Sequence, residues 1–208
     1  MSVTETRKLS RIQKERRKEI LAAALDVFSR DGFRGASINT IAKEAEMSTP
    51  RLLYHFSGKE ELYHELLKSV LLLWLGPLNQ IDASGQPVEE ILDYIRRKLR
   101  MSQHHPRESR LFASAVLLGA QRAHAEVFDS FRVIFDDKIS LLSQWMDDGK
   151  LARQDPHHLI YSIWATTQHY ADFEVQIVEL SPEKMDSLFT DAEAYLVPMY
   201  RKLLTPDT

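Results

Sequence analysis

The stretch SINTIAKEAEMSTPRLLYHFSGK, residues 37–59, contains two short helical patterns separated by a tight turn. The apolar residues of the first pattern share one helical face, which can be buried: Ile38, Ile41, Ala42 and Ala45. Ser48 or Thr49 can cap the second helix through a hydroxyl, and Pro50 lies near its first position, where a missing N–H costs least. The stretch therefore predicts two short helices joined by a tight turn.

The second of these helices has a polar outer face. Leu52 and Phe56 are four residues apart and face inward, and this leaves other side chains outside. Hydrogen-bonding groups in such a position can bind phosphates and base edges. The pattern indicates a helix-turn-helix DNA-binding element, although an ordinary antiparallel helix pair in an all-helical core has the same spacing. We expect these residues at the DNA, the last of them on a phosphate: Ser37, Asn39, Ser48, Thr49, Pro50, Arg51, Leu53, Tyr54, His55 and Lys59.

The sequence on both sides of this element carries a family pattern. Upstream, EILAAALDVFSRDGF at residues 19–33 has an apolar helical face and reaches a stop at Gly32. Residues 18–63 closely resemble the DNA-binding domain of the tetracycline-repressor (TetR) family, in which ILxAAxxxFxxxGF, TxxxIAxxAxxS and LYxHFxxKExL segments occur in this order. The resemblance implies a homodimeric transcriptional regulator, usually a repressor, that binds palindromic operator DNA and is released by a small effector.

Charge is distributed unevenly along the chain. The first 60 residues hold twelve Lys and Arg against eight Asp and Glu, a net charge of +4, whereas the whole chain carries −3, which leaves −7 for the remainder. A basic end suits a protein that neutralises phosphates. We expect residues 1–17 to form a basic flexible tail, either simply solvated or also reaching the DNA backbone or minor groove.

Composition limits the possible fold classes. The 208 residues are 44% hydrophobic and include no cysteine, which excludes disulfide and thiolate sites. Helical periods recur and strand-like alternation is rare, so we expect an all-α fold of about nine helices. The longest apolar run, residues 70–75, is too short for a membrane span and no apolar signal core opens the chain, so we expect a cytoplasmic protein.

Breaks in the helical pattern predict the boundaries of the later helices. Gly76 and Pro77 are expected to end a fourth helix that begins near Lys59. A short helical patch is expected around Ala123, and a single helix from His157 to about Leu180. The three helices of the DNA-binding domain, residues 18–63, would then be followed by a ligand-binding and dimerisation domain over residues 64–208.

The second half of the chain has a narrower resemblance within the family. LLLWLGPL (71–78), YIRRKL (94–99), SRLF (109–112) and DPHHLIYSIWATTQHYADF (155–173) are similar to the effector domain of its pyrimidine-responsive members. The resemblance implies an effector such as uracil or thymine. It departs from the pattern at residues 113–115, Ala-Ser-Ala, where Cys and Met are expected, and again after Phe173. A regulator that senses a larger lipophilic compound is the alternative.

One helical face within the 155–173 segment combines polar and aromatic groups. Trp164, Thr167 and Gln168 share it, so an indole, a hydroxyl and a carboxamide are presented together. A Gln carboxamide offers both a donor and an acceptor, as the imide edge of a pyrimidine requires. The same residues would also suit a helix core or a dimer interface. The expected effector contacts are Trp74, Leu78, Phe112, Trp164, Thr167 and Gln168.

Enzymatic chemistry has little support in the sequence. Neighbouring histidines such as His157 and His158 point about 100° apart on a helix and make poor metal pairs. No HExxH, GxSxG or Gly-rich phosphate loop is present. We therefore expect no metal, no cofactor and no enzyme activity; a helical metal-binding or enzymatic module is the alternative from another class.

Overall fold

The computed structural model describes residues 10–117 and 125–206, without the side chains of residues 125–128 and 130. These residues form ten α-helices, one short 3-10 helix and no strand. The α-helices are α1 (Arg11–Gly35), α2 (Ile38–Glu44), α3 (Thr49–His55), α4 (Lys59–Asn79), α5 (Pro87–His104), α6 (Pro106–Leu117), α7 (Ala125–Asp147), α8 (Pro156–Asp172), α9 (Glu174–Leu180) and α10 (Leu188–Leu204). The 3-10 helix is Pro182–Ser187. Within the described ranges, every helix lacks the combination of length and apolarity that a membrane crossing needs.

The chain divides into two compact units after Lys68. In the N-terminal unit, α1 packs on α2 and α3 around an apolar core of Ile20, Ala24, Val27, Phe28, Ile41, Leu52, Phe56 and Leu62. Gly32 interrupts α1 with a φ of +66°, a backbone conformation that residues with a side chain rarely adopt. The aromatic rings of Phe28, Phe33 and Tyr63 then pack together with centroids 4.8 to 6.1 Å apart.

In the C-terminal unit, α5 is the central helix. It packs against both α8 and α10, and α6 packs against α8 as well. Apolar residues from α5, α8 and α10 and from α7 form one continuous core. Two tyrosines are wholly buried in it, and their hydroxyls are paired: Tyr94 with Trp164, and Tyr200 with Ser162 and Thr166. Side chains from α4, α5, α6 and α8 are thereby brought together, although they are far apart in the sequence.

The helix boundaries correct several expectations. Helix α1 begins at Arg11 because Ser10 and Gln13 cap each other's backbone N–H groups, so residues 11–17 are helical and not part of a flexible tail; residues 1–9 lie outside the described residues. Helix α4 continues past Gly76 through Pro77 to Asn79, since a proline so close to a C-terminus removes only one hydrogen bond.

Two further boundaries differ from the sequence-based prediction. Phe173 divides the expected single helix into α8 and α9, and a 3-10 turn precedes α10, so the described residues contain more helices than the nine expected. Phe173 has φ −115° and ψ +26°, which lies outside the helical region, and no glycine or proline marks this break. The patch expected around Ala123 falls among residues that the structure does not describe.

Candidate functional site

The turn between α2 and α3 is a Schellman motif. The Met47 N–H donates to the Ala42 carbonyl at 2.9 Å, and the Glu46 N–H donates to the Lys43 carbonyl at 3.1 Å. Glu46 occupies the left-handed position of this motif with a φ of +52°. The last carbonyls of α2 are thereby satisfied within the turn, and the chain changes direction just before α3 begins.

Helix α3 exposes the side that was expected to face DNA. Leu52 is buried and Phe56, which ends the helix, is buried as well, whereas Arg51 and Pro50 are exposed. Tyr54 is the most exposed large hydrophobic residue of the helix, at 74%. Leu53 is 45% exposed, and Ser48 precedes the helix without forming a side-chain capping bond.

The remaining expected DNA contacts connect α2 with α3. Ser37 caps α2 by accepting a hydrogen bond from the Thr40 N–H at 3.0 Å. The Thr49 hydroxyl donates to the Asn39 carboxamide oxygen at 2.9 Å, which links the starts of the two helices. Nine of the ten expected residues therefore lie in α2, in α3 or directly before one of these helices, and Lys59 begins α4.

Arg17 holds the end of α3, a role that the sequence analysis missed. Its guanidinium donates to the His55 carbonyl, lies 3.8 Å above the ring of Phe56 and is 3.5 Å from the Glu61 carboxylate. The predicted flexible tail over residues 1–17 includes Arg17, and a tail residue is not expected to make such contacts. The available signal was its position three residues before the apolar Ile20, which is helical spacing.

Lys59 has a structural role in this structure. Its ammonium donates to the carbonyls of Phe33 (2.9 Å) and Ala36 (3.1 Å) and lies 4.5 Å from the centre of the Phe33 ring. These bonds satisfy carbonyls where α1 ends. The expected phosphate contact of Lys59 remains a prediction, and it would compete with these bonds.

The arginines around α3 affect its titratable neighbours. Burial lowers the pKa of His55, and the positive charges of Arg17, Arg51 and Arg16 lower it further, so its imidazole is neutral at neutral pH. Burial opposes ionisation of Glu61, but hydrogen bonds from Ser57 and the charge of Arg17 outweigh it and lower the pKa of the carboxylate. Arginine, not histidine, therefore carries the positive charge of this surface.

Two of the six expected effector contacts line one cleft in the C-terminal unit. The cleft has a volume of about 700 Å³ and is lined by Arg110, Phe112, Ala113, Ser114, Val116, Leu117, Gln168, Asp172 and Phe173. The buried Trp74 belongs to the same neighbourhood, because its ring lies 6.5 Å from that of Phe112. Gln168 contributes the carboxamide, and apolar side chains of α6 face it.

The other three expected contacts are engaged elsewhere. Leu78 is buried in the main core of the unit. Thr167 is fully buried and donates to the Ile163 carbonyl of its own helix at 2.6 Å. The indole N–H of Trp164 donates to the Tyr94 hydroxyl at 2.7 Å, and its ring packs against aromatic rings of α7 and Tyr161. None of the three lines the cleft.

A buried lysine near the cleft, Lys98, was also missed. Lys98 is 1% exposed, and its ammonium lies 4.7 Å from the centre of the Trp74 ring. Burial lowers the pKa of Lys98 to about 7, against the opposing effect of Asp172. Burial also raises the pKa of Asp172, which accepts a hydrogen bond from the Ser109 hydroxyl and is drawn back by Lys98. Lysine in a YIRRKL segment gave no sequence signal of burial, because the amphipathic pattern alone does not show which charges face inward.

Both parts of the chain match models of known protein families. Residues 20–66 match the model of bacterial regulatory proteins of the tetR family, and residues 67–207 match that of the C-terminal region of YcdC-like proteins. The chain belongs to the TetR family. It is 43% identical to the HTH-type transcriptional regulator RutR of Escherichia coli K12 over 176 residues, which cover 85% of this chain and 83% of that protein.

Two solved structures share the fold. The ketosteroid transcriptional regulator KstR2 of Mycobacterium tuberculosis aligns with a TM-score of 0.74 at 22% identity, covering 92% of this chain and 96% of that one. AibR, in a complex with isovaleryl coenzyme A and operator DNA, aligns with a TM-score of 0.66 at 19% identity, covering 75% and 85%. At these identities the likeness establishes the architecture only.

The family membership decides between the function classes. This TetR-family chain has transcriptional regulators as its relatives, not enzymes, and the expected helix-turn-helix element is confirmed. His157 and His158 donate their backbone N–H groups to the capping carboxylate of Asp155, as expected for the start of a helix. Among the described residues, His, Asp and Glu side chains form no cluster of three that suits a metal ion.

Proposed function

We propose that this TetR-family regulator binds a palindromic operator as a homodimer and is released from it by a small pyrimidine such as uracil or thymine. The observation that carries the effector half of the proposal is the cleft that Phe112 and Gln168 line together. It lies in the part of the chain that resembles pyrimidine-responsive regulators, and the chain is 43% identical to RutR.

The DNA half of the proposal rests on the exposure of α3. A helix of seven residues contacts only a few base pairs, so two copies related by a two-fold axis are needed for a specific site. Arg51 and Tyr54 project from the exposed side of α3 and would contact the major groove. Arg17 donates to the His55 carbonyl and would thereby fix the C-terminal end of α3, the helix that would enter the major groove.

The dimer is supported by exposed aromatic and apolar side chains on two long helices of the C-terminal unit. Tyr161 on α8 and Tyr195 and Leu203 on α10 are all exposed in the single chain. Single exposed apolar residues are normal, but in this family the last two long helices, here α8 and α10, form the dimer interface. We therefore assign α8 and α10 to that interface.

The effector half depends on hydrogen-bond complementarity. The half-buried Gln168 carboxamide can donate to a ring carbonyl and accept from a ring N–H, which is the pairing that an imide edge offers. Phe112 supplies an aromatic face for a planar ring within the same cleft. Effector binding would favour a dimer in which the two recognition helices no longer fit successive major grooves, and operator would weaken effector binding by the same factor.

Binding measurements with and without effector test this proposal. Fluorescence anisotropy on the DNA upstream of the protein's own gene should show saturable binding that depends on salt, and millimolar uracil or thymine should weaken it at constant ionic strength. Adenine serves as a control, because it is planar but lacks the imide. If the protein binds the DNA specifically but no pyrimidine weakens that binding, the effector half is contradicted. If it shows no specific DNA binding even without effector, the whole proposal is contradicted.

A larger lipophilic effector is the second candidate. The exposed Val116, Leu117 and Phe173 line the cleft beside Gln168, so part of its wall is apolar. AibR, which shares the fold, was solved with isovaleryl coenzyme A. Adding short-chain acyl coenzyme A thioesters and fatty acids to the same screen separates the candidates, since only one class should release the DNA.

A further inference from the structure

The inner side of the effector region contains buried hydrogen-bond donors. Trp74 is 6% exposed, and among the described residues its indole N–H has no hydrogen-bond partner. The Ser102 hydroxyl, also buried, is unpaired within the same described set. Lys98 lies four residues before Ser102 on the same face of α5, and its ammonium rests over the Trp74 ring.

Buried donors without partners are costly and therefore informative. Most buried polar groups in proteins are hydrogen-bonded, and leaving one unpaired destabilises the folded protein. An indole N–H is a donor only, so the unpaired Trp74 indole requires an acceptor oxygen, and the Lys98 ammonium beside it is likewise only a donor. A protein that stores such donors in its interior gains when a ligand supplies the acceptors.

This donor cluster is continuous with the cleft. The Trp74 ring is 6.5 Å from that of Phe112, which lines the cleft together with Gln168 and Asp172. Asp172 in turn is held by Ser109 and interacts electrostatically with Lys98. The donors thus adjoin the residues that line the cleft, Trp74 through the ring of Phe112 and Lys98 through Asp172.

We propose that the Trp74 indole N–H and the Lys98 ammonium form the inner wall of the effector site and donate to acceptor oxygens of a small planar ligand. The proposal rests on the proposed function and makes it more specific. The ligand would carry at least two ring or carboxylate oxygens, one for this wall and one for Gln168. A saturated acyl chain offers no acceptor to these donors and would leave them unpaired.

Proton uptake provides a second consequence. An oxygen acceptor favours the charged form of Lys98, whose pKa burial lowers to about 7, so binding near pH 8 should take up protons. Asp172 on α8 is the charged group that acts on Lys98, and Asp172 itself is influenced by Arg110 on α6 and His169 on α8. Substitution of Lys98 should abolish the uptake, whereas a purely structural lysine would not produce it.

Isothermal titration with uracil tests the inference with two conservative variants. Trp74→Phe removes the indole N–H but keeps an aromatic ring, and it should weaken binding about fivefold. Lys98→Met keeps the chain length and should weaken binding tenfold or more, because hydrogen bonds to charged groups are stronger. Lys138→Met is the matched control: Lys138 is 9% exposed, donates to the Ile81 carbonyl and does not line the cleft.

The outcomes separate this inference from the proposed function. Titrations in buffers of different ionisation heat should show proton uptake in the wild type and in Lys138→Met but not in Lys98→Met. If uracil binds both Trp74→Phe and Lys98→Met as tightly as the wild type, the inference is overturned and the pyrimidine function stands.

Two further outcomes concern a wild type that binds neither uracil nor thymine. If the wild type still binds a small aromatic carboxylate such as nicotinate in a manner that requires Lys98, the inference stands and the pyrimidine function fails. If the wild type binds none of these oxygen-bearing probes, the inference is overturned. If Lys98→Met fails to fold, the Trp74→Phe titration decides alone, because that substitution removes the indole N–H and keeps an aromatic ring.

Discussion

The DNA-binding surface and the effector cleft are built in opposite ways. The surface around α3 depends on residues close together in the sequence: the turn closes through bonds from residues 46 and 47 back to residues 43 and 42, and Thr49 binds Asn39. The cleft and the donors behind it combine residues from α4, α5, α6 and α8, which span positions 74 to 173.

This difference explains which contacts a sequence can reveal. Local turns, caps and helical faces follow from spacing alone, and so the polar face of α3 was predictable. The chemistry of the cleft depends on which helices meet, and spacing does not contain that information. The predictions below test this contrast, beginning with the largest expected effect.

The sharpest test of the cleft is Gln168→Leu. The substitution keeps the side-chain volume but leaves a donor and an acceptor of the bound imide unpaired, at a cost of roughly 1–3 kcal/mol each. We expect uracil affinity to fall at least tenfold in calorimetric titration, while operator binding and the sedimentation coefficient of the dimer stay unchanged. A change in dimer stability with unaltered affinity per dimer would instead assign Gln168 to packing.

For the DNA-binding surface, the corresponding test is Arg51→Ala. Loss of a groove contact from this exposed residue should weaken specific operator binding by roughly 1–3 kcal/mol and relax discrimination against mismatched sites. Gel shifts at two salt concentrations measure it, with Arg34→Ala, exposed near the end of α1, as a charge-matched control. Equal losses on specific and random DNA would show that Arg51 contacts only phosphates.

Substitution of Lys59 tests whether this charge stabilises the fold or serves only to contact DNA. Lys59→Met removes hydrogen bonds to the Phe33 and Ala36 carbonyls and should lower the free energy of unfolding by about 2 kcal/mol. Denaturant unfolding in the absence of DNA measures the loss. An unchanged midpoint would mean that the two bonds contribute nothing and would favour the phosphate role.

Glu46 tests the turn itself. Because its φ is +52°, Glu46→Gly should relieve backbone strain and raise the free energy of unfolding by about 0.5–1 kcal/mol, without changing operator affinity. Thermal unfolding followed by circular dichroism is sufficient. Glu44→Gly, in the last turn of α2, should have the opposite sign.

The pH dependence of stability tests the burial of Lys98 separately. The pKa of Lys98 is about 7 when folded and near 10.5 when unfolded, so between these values the unfolded chain binds more protons and stability increases as pH rises. Below pH 7 both states are protonated and the cost of the buried charge is complete. Melting temperatures from pH 7 to pH 10 should therefore rise more steeply in the wild type than in Lys98→Met, and parallel curves would contradict the burial of this charge.

The proportion of the site that the sequence revealed differs between the two regions. At the DNA-binding surface, Arg51, Tyr54 and the Ser37 cap occupy the places that helical periodicity and capping chemistry predict. In the effector region, Phe112 and Gln168 line the cleft, and they were selected from a family resemblance as much as from spacing. Trp164 and Thr167 share a helical face with Gln168, yet neither lines the cleft: Trp164 donates to Tyr94 of α5, and Thr167 donates to a carbonyl of its own helix.

The sequence by itself determined the all-helical class, the helix-turn-helix element and the basic character of the first 60 residues, because periodicity, capping residues and charge act over a few positions. Only the tertiary structure decided that Arg17 clamps the end of α3, that Lys59 closes α1 and that Lys98 is buried over Trp74. These contacts join residues 23 or more positions apart, and the direction of a charged side chain on a helix depends on the partner that packs there.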